Sequence, residues 1–364
     1  MDIKEVVFTH AQVRNGVQFV DDSLGVGAFC QKYGVMKAFL NNPSITDENE
    51  ELMVFELVDN VVMGREIFYP TRMKLGNQII NSYASSSLLV AEEGRKYMLG
   101  ASLVMHQINN LSNTVLLYGG MTEMAVDLYK HLKFVIFDVP TIWQVRNTRP
   151  ILQNFKFSGI TLNTASFISN LPVKIYTWCS SLFSKCAAKK FDVRELAEAP
   201  DWIETIVSSD SHKYAEFHGK DWFNWVLKNS FSEDKSSRQA LYGIYAEGIP
   251  KGFVFLTELP TSVKDRNIDR VVFGTIREWG TNDEFMLSES DIFKIAMNCF
   301  TKDVDIVTIS TADETVRKSM KKYGFFQHGK YNVAFRALGI KLDEDCKDVN
   351  NWRIRPSYSD TCFY

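Results

Sequence analysis

The sequence predicts an α/β protein made of two similar units in tandem, each a mixed, mostly antiparallel sheet flanked by helices. Three observations support this. The chain has 364 residues, more than a single hydrophobic core usually spans, so two domains are expected before any motif is read. Short apolar runs alternate with turn signals from Leu52 to Val139. The same alternation returns between Ala240 and Leu338, as an internal duplication would produce.

In chain order, LMVFELV (from Leu52), VVMGREIFYP (from Val61) and QIINSYASSSLLV (from Gln78) read as three consecutive strands. Their β-branched and aromatic residues cluster between Asp-Asn and Pro-Gly breaks. A polar turn, AEEGRKYMLG, leads into ASLVMHQINNL, where Leu99, Leu103 and Ile108 share a helical face. NTVLLY is a strand ended by Gly119 and Gly120; MTEMAVDLYKHLKF is an amphipathic helix; FVIFDV is a further strand. Between residues 151 and 190 the alternation stops, and a linker with one or two helices is expected to pack between the halves. Its apolar stripe flanked by Lys185, Lys189 and Lys190 also suits a membrane surface, which is the alternative. The second half then offers a hairpin around Gly248-Ile249-Pro250, a strand RVVFGTIREWG, a helix DIFKIAMNCFTK, a strand VDIVTIST, a short helix DETVRKSMKKYGF and a strand KYNVAFRAL. The expected units are therefore residues 1–150, a linker 151–190, and residues 191–364.

Composition narrows the function classes. Hydrophobic residues make up 45% and charged residues 23% of the chain, and the net charge is -3 with a pI near 6.1. No basic stripe is present to track a phosphate backbone, so no nucleic-acid partner is expected. Six cysteines are scattered without the pairing of a disulfide framework or zinc site, which points to reduced thiols and no metal. The start lacks an apolar signal core and no run of about 18 apolar residues occurs. A cytoplasmic location is the expectation.

The turn VAEEGRKYMLGASLV carries the chemistry. A strand ends at Val90, a polar loop holds Gly94 and Gly100, and an apolar helix begins. Unpaired N–H groups at such a helix start, at the positive end of its dipole, suit a pyrophosphate, and Arg95 adds charge at the mouth. This turn resembles motif A of the GCN5-related N-acetyltransferases, Arg/Gln-x-x-Gly-x-Gly/Ala before a helix, with Arg95 first, Gly100 last and Met98 at the first glycine position. Downstream, Thr122, Ala125, Leu128, Tyr129 and Phe134 stand at the spacings of the family's Asn-x-x-Ala-x-x-Leu-Tyr-x-x-x-Gly-Phe helix, with Lys133 in the glycine's place. The resemblance implies two tandem domains of that fold, acetyl-CoA or another acyl-CoA as co-substrate, and binding by Leu89, Val90, Arg95, Lys96, Tyr97, Met98, Gly100 and Ala101. It further implies that Tyr129 protonates the leaving thiolate. In the second half, Asp313, Val316, Gly324 and Phe325 keep the helix pattern, but Met320 replaces the tyrosine. There Asp283, Glu284, Glu289 and Asp291 oppose a pyrophosphate. A domain without its cofactor site is expected there. HGKDWFNWVLKNSF and the terminal NWRIRPSYSDTCFY also resemble segments of tandem members.

Direct acyl transfer needs a neutral amine, a route for its proton and a donor to the oxyanion. Backbone N–H groups around Leu89 and Val90 are implied for the last role. Glu56 is the expected base, with Glu66, His106 and His131 as further candidates. The function expected is an acyl-CoA-dependent N-acyltransferase acting on a small amine, such as an aminosugar or amino acid. Two alternatives stand beside it. One is a peptidyl transferase that takes aminoacyl-tRNA, against which the low basic charge argues; the other is a non-catalytic binding protein, which Met98 and Lys133 favour.

Overall fold

The structure, a computed structural model, describes residues 2–15, 33–188, 190–230, 232, 234–263, 268–359 and 363. The first half runs β1 (Ile3–Thr9), α1 (His10–Arg14), α2 (Tyr33–Leu40), β2 (Glu51–Val58), β3 (Val61–Leu75), β4 (Gln78–Val90), α3 (Glu92–Arg95), α4 (Leu99–Asn110), β5 (Thr114–Gly119), α5 (Glu123–His131) and β6 (Val135–Val145). Helices α6 (Arg149–Asn154) and α7 (Gly159–Ala188) follow. The second half runs β7 (Asp192–Leu196), α8 (Asp201–Ser209), β8 (Tyr214–Glu216), α9 (Lys220–Lys228), β9 (Arg238–Ala246), β10 (Ile249–Val263), β11 (Ile268–Thr281), α10 (Glu289–Cys299), β12 (Ile306–Ser310), α11 (Glu314–Lys321), β13 (Phe326–Leu338) and β14 (Trp352–Arg353).

The strands form one mixed, mostly antiparallel sheet in the order β1-β2-β3-β4-β5-β13-β6-β12-β11-β10-β9-β7, with β8 and β14 off this path. β1 to β6 of the first half correspond in order to β7 and β9 to β13 of the second, and β6 and β13 are exchanged between the halves. β13 of the second half pairs with β5 over Leu338↔Thr114 to Val333↔Gly119. β6 of the first half pairs with β12 over Val145↔Ile306 to Thr141↔Ser310. β6 and β13 then pair with each other at the centre, from Val135↔Phe335 to Trp143↔Phe326. An approximate two-fold axis therefore passes between them, and the expected units share one sheet across the boundary near residue 150.

Alternating side chains divide the two faces. On one, α4 and α5 cover Leu116, Tyr118 and Ala334, while α10 and α11 cover Ile276, Val307 and Ile309 in a separate cluster. On the other, a single core crosses both halves, joining Phe55, Tyr69, Phe137, Phe335, Phe253 and Phe255 beneath α2, α8, α9 and the C-terminal segment. Burying each such ring contributes roughly 1.5–3 kcal/mol, so this shared core outweighs any contact confined to the linker. The linker lies against the second half on one side only: Leu162 and Ser166 of α7 are buried and the Tyr176 hydroxyl donates to the Lys322 carbonyl (2.8 Å), whereas Phe167, Ile168 and Leu171 face outward.

Candidate functional site

β4 and β5 are parallel and bonded only at Tyr83↔Leu116 and Ala84↔Leu117. Beyond that point they diverge, for a local reason. The β3–β4 register slips between Arg65↔Leu89 and Ile67↔Ser86, which inserts one extra residue into β4, and Ser87 takes a left-handed φ of 58°. Such a bulge bends its strand and locally disrupts the ladder. The notch that opens is a cavity of about 290 Å³ lined by Ser85, Ser87, Tyr118, Gly119, Thr122 and Tyr129, among others. Tyr129 comes from α5, which Thr122 caps by accepting from the Ala125 N–H (3.3 Å). Its ring stands 4.3 Å from that of Tyr118. Burial, with Glu66 adding to it, holds its phenol well above the ordinary tyrosine value, so it keeps its proton at neutral pH.

Beneath the notch lies a buried polar chain. Ser85 Oγ donates to Glu66 Oε1 (2.5 Å), and the Tyr118 hydroxyl lies 3.3 Å from the same oxygen and 3.0 Å from Gln107 Oε1. Burial pushes the Glu66 carboxyl up to about 7, although the Ser85 and Tyr118 hydrogen bonds work against it. The C-terminal segment reaches the same place: Ser359 Oγ donates to the Ser85 carbonyl (2.6 Å) and the Tyr331 hydroxyl to that of Tyr358 (3.1 Å). A Cβ on Gly119 would stand 2.5 Å from the Tyr331 hydroxyl and 3.0 Å from the Tyr358 carbonyl. A larger residue there would make both groups give way. The segment is anchored by a buried ionic cluster, in which Glu278 accepts from Arg353 Nη2 (2.6 Å), Ser357 Oγ (2.6 Å) and His218 Nδ1 (2.7 Å).

The start of α4 lies next to the end of β4, with Gly100 beside Val90 and Leu128; none of residues 89–101 is among those lining the cavity. Tyr97 and Met98 N–H groups bond to the Gly94 and Arg95 carbonyls, and those of Ala101 and Ser102 to the Met98 carbonyl. The N–H groups of Leu99 and Gly100 are left at the helix terminus with no acceptor inside the helix. Met98 caps α4 without a side-chain bond, and no acidic residue lies in the first turn. A Cβ on Gly100 would meet Val90 and Leu128 only at 3.6 and 3.8 Å, so packing does not require glycine there; its absence of side chain leaves room for a ligand. Met98 has φ 58° and Lys133 φ 59°. Both residues that replace motif glycines thus hold the left-handed backbone that glycine adopts freely. Gly324, at the place in the second half that corresponds to Lys133, has φ 82°.

The second half has the opposite character. β11 and β12 also part, after Thr275↔Thr308, but Ser288 caps α10 on the Asp291 N–H and Glu289 and Asp291 fill its first turn. Glu289 Oε1 accepts from Trp279 Nε1 and Arg355 Nη2 (both 2.9 Å). Glu284, Glu289, Asp313 and Glu314 outnumber Arg317 and Arg355 around the adjacent cavity, a net negative lining that disfavours an anion.

The remaining sequence candidates divide. Leu89 and Val90 end β4 beside the notch, and Arg95 and Lys96 are exposed on the turn, Lys96 with its amine 4.8 Å from the Tyr97 ring. Glu56 is buried beneath α4 and is not among the residues lining the notch; burial pushes its carboxyl above the ordinary value, with a Ser102 hydrogen bond opposing. His106 lies between Glu5 and Glu51 at 2.8 and 2.7 Å, and His131 bonds the Asp127 carbonyl (2.7 Å) at the exposed end of α5. The parts that sequence reasoning missed are Ser85, Tyr118 and the return of Ser359. Three serines in a row inside a strand, Ser85 to Ser87, were the available signal.

Divergent strands after a β-bulge, an uncapped helix start beside them and a tyrosine on the following helix define the fold of the GCN5-related N-acetyltransferases. Solved structures of that fold match most of the chain. Saccharomyces cerevisiae N-myristoyltransferase with bound myristoyl-CoA is similar over 94% of this chain and 82% of that one, with a TM-score of 0.58 and 12% identity. A GCN5-related N-acetyltransferase from Anabaena variabilis covers 92% and 72% (TM-score 0.52, 11% identity). An Enterococcus faecalis protein described as a probable N-acyltransferase covers 93% and 73% (TM-score 0.54, 8% identity). No family profile and no curated protein sequence matches the chain. At these identities, the likeness establishes the fold.

Proposed function

We propose that the chain transfers an acyl group from an acyl-CoA to the amine of a small molecule, with the donor lying in the notch between β4 and β5. The observation that carries this reading is the parting of β4 and β5 with Tyr129 in the lining of the cavity between them, and the uncapped start of α4 at Leu99 and Gly100 next to the end of β4. Strand edges offer backbone partners to the amides of a pantetheine arm, as they do to an added strand. The α4 start, with Arg95 and Lys96 nearby, receives the pyrophosphate. The amine nitrogen attacks the thioester carbon, the C–N bond forms, the C–S bond breaks, and the proton that the nitrogen gives up passes to water. N–H groups near Leu89 and Val90 support the oxyanion, and Tyr129 gives its proton to the departing sulfur.

Acetyl-CoA is the donor favoured by the size of the notch. Titration calorimetry with acetyl-CoA and myristoyl-CoA, with Arg95→Glu in parallel, tests donor binding. Micromolar affinity, weakened about tenfold in Arg95→Glu, is expected. An absence of heat at millimolar ligand for both donors would sink the reading. Tyr129→Phe is expected to lower kcat for thiol release by roughly 100-fold without loss of donor binding. The exposed Met98 side chain at the mouth favours a second reading, a binding protein without turnover; donor binding with no thiol release across an amine panel would select it.

A further inference from the structure

α7 is inverted relative to a helix that packs in a core. Leu162 and Ser166 face the protein, while Ile160, Phe167, Ile168, Leu171 and Ile175 are between 56% and 84% exposed. At 100° per residue these five fall within an arc of about 100°. Phe155 and Phe157, exposed just before the helix, lengthen the stripe. On its flank, Lys174 joins Arg146, Arg149 and Lys302 around a cavity of about 710 Å³. Arg146 donates to the Met297 carbonyl and Arg149 to Asn163 Oδ1 (both 2.9 Å); among the described residues, none of the four cations is ion-paired. Of the two acids there, Asp305 has both oxygens engaged, by Asn147 Nδ2 (2.6 Å) and the Val272 N–H (2.8 Å), and Asp303 is exposed.

The sequence around this surface is equally one-sided. Residues 139–191 contain seven Lys and Arg and no Asp or Glu, against 34 and 44 in the rest of the chain. We propose that α6 and α7 dock on a bilayer surface bearing anionic phospholipid, with the stripe at the headgroup–acyl boundary and a lipid phosphate drawn into the cavity beside Lys174. An apolar face bordered by unpaired cations is what such a surface requires. A symmetric pairing with a second copy would set these like charges against themselves. Among the described residues, no helix is long and apolar enough to cross a membrane, so the helix lies on the surface.

The test is vesicle flotation of the full chain, with phosphatidylcholine alone and with added phosphatidylglycerol. Two double variants accompany it, Phe167→Glu with Leu171→Glu and Lys174→Glu with Lys302→Glu, each checked for unchanged circular dichroism. Binding to the anionic vesicles is expected, about tenfold or more weaker in either variant and on phosphatidylcholine alone. No flotation with anionic vesicles at low salt, or flotation indifferent to both variants, overturns the proposal. So does a dimer in light scattering that Phe167→Glu with Leu171→Glu dissociates, since the stripe would then belong to a second copy.

Discussion

Glu66 is the residue whose setting has the clearest measurable consequence. Its carboxyl titrates near 7 in the folded chain because it is fully buried, against an ordinary value of 4.5. Between those pH values the folded state holds a proton that the unfolded state has released. Stability therefore falls as pH rises from about 4.5 to about 7 and is level above that. Glu66→Gln keeps the shape and removes the charge, so urea unfolding at pH 8 should show the variant more stable by on the order of 2 kcal/mol, with the difference vanishing near pH 4. Equal stabilities at both pH values would show that the carboxyl is not held neutral. Glu278 has the opposite sign. Although burial opposes it, Arg353 and His218 hold its carboxyl at about 2, so its contribution is present above pH 4.5 and is lost as pH falls toward 2. The sequence named Glu66 as a strand carboxylate, but not its partners. Ser85 and Tyr118 lie 19 and 52 residues away, and side-chain convergence over such separations leaves no periodic trace.

Among the elements, the turn into α4 shows how a motif persists in backbone after its residues change. Met98 and Lys133 both sit at positive φ, where an L-residue carries roughly 1–2 kcal/mol of strain. Met98→Gly relieves this but adds chain entropy to the unfolded state of about 0.5–1 kcal/mol. The variant should match or exceed the parent stability by up to about 1 kcal/mol in urea unfolding, and should bind acetyl-CoA more tightly in calorimetry. A loss of stability would mean that the Met98 side chain contributes packing that its exposure does not suggest. The strand and helix order of both halves was legible in the sequence, because periods of 2 and 3.6 and turn residues are local signals. Some elements were not: α3 and β8, with 4 and 3 residues, are too short for a period to declare itself, and β1 and β7 are edge strands with no fully buried residue, so no apolar alternation marks them.

At the scale of the whole molecule, the exchange of β6 and β13 makes each half depend on the other. Residues 1–150 expressed alone would present β5 without its antiparallel neighbour and expose the aromatic face of Phe137 that Phe335 and Trp352 cover at 5.7 and 5.8 Å. That fragment should be insoluble or lack near-ultraviolet circular dichroism, regain both on co-expression with residues 151–364, and the full chain should unfold in one transition. A well-folded fragment would refute this. By itself, the sequence determined the order of elements, the return of that order in the second half and the place of the strand–turn–helix motif, since each is encoded in residues close along the chain. Tertiary structure alone decided that the two units share a sheet. The apolar patterns of FVIFDV and KYNVAFRAL do not distinguish the two pairings; what selects between them is packing against β5, β12 and the C-terminal segment. It also brought Ser359 to Ser85 across 274 positions and turned the apolar side of α7 outward, because which face of a helix is buried depends on what stands beside it.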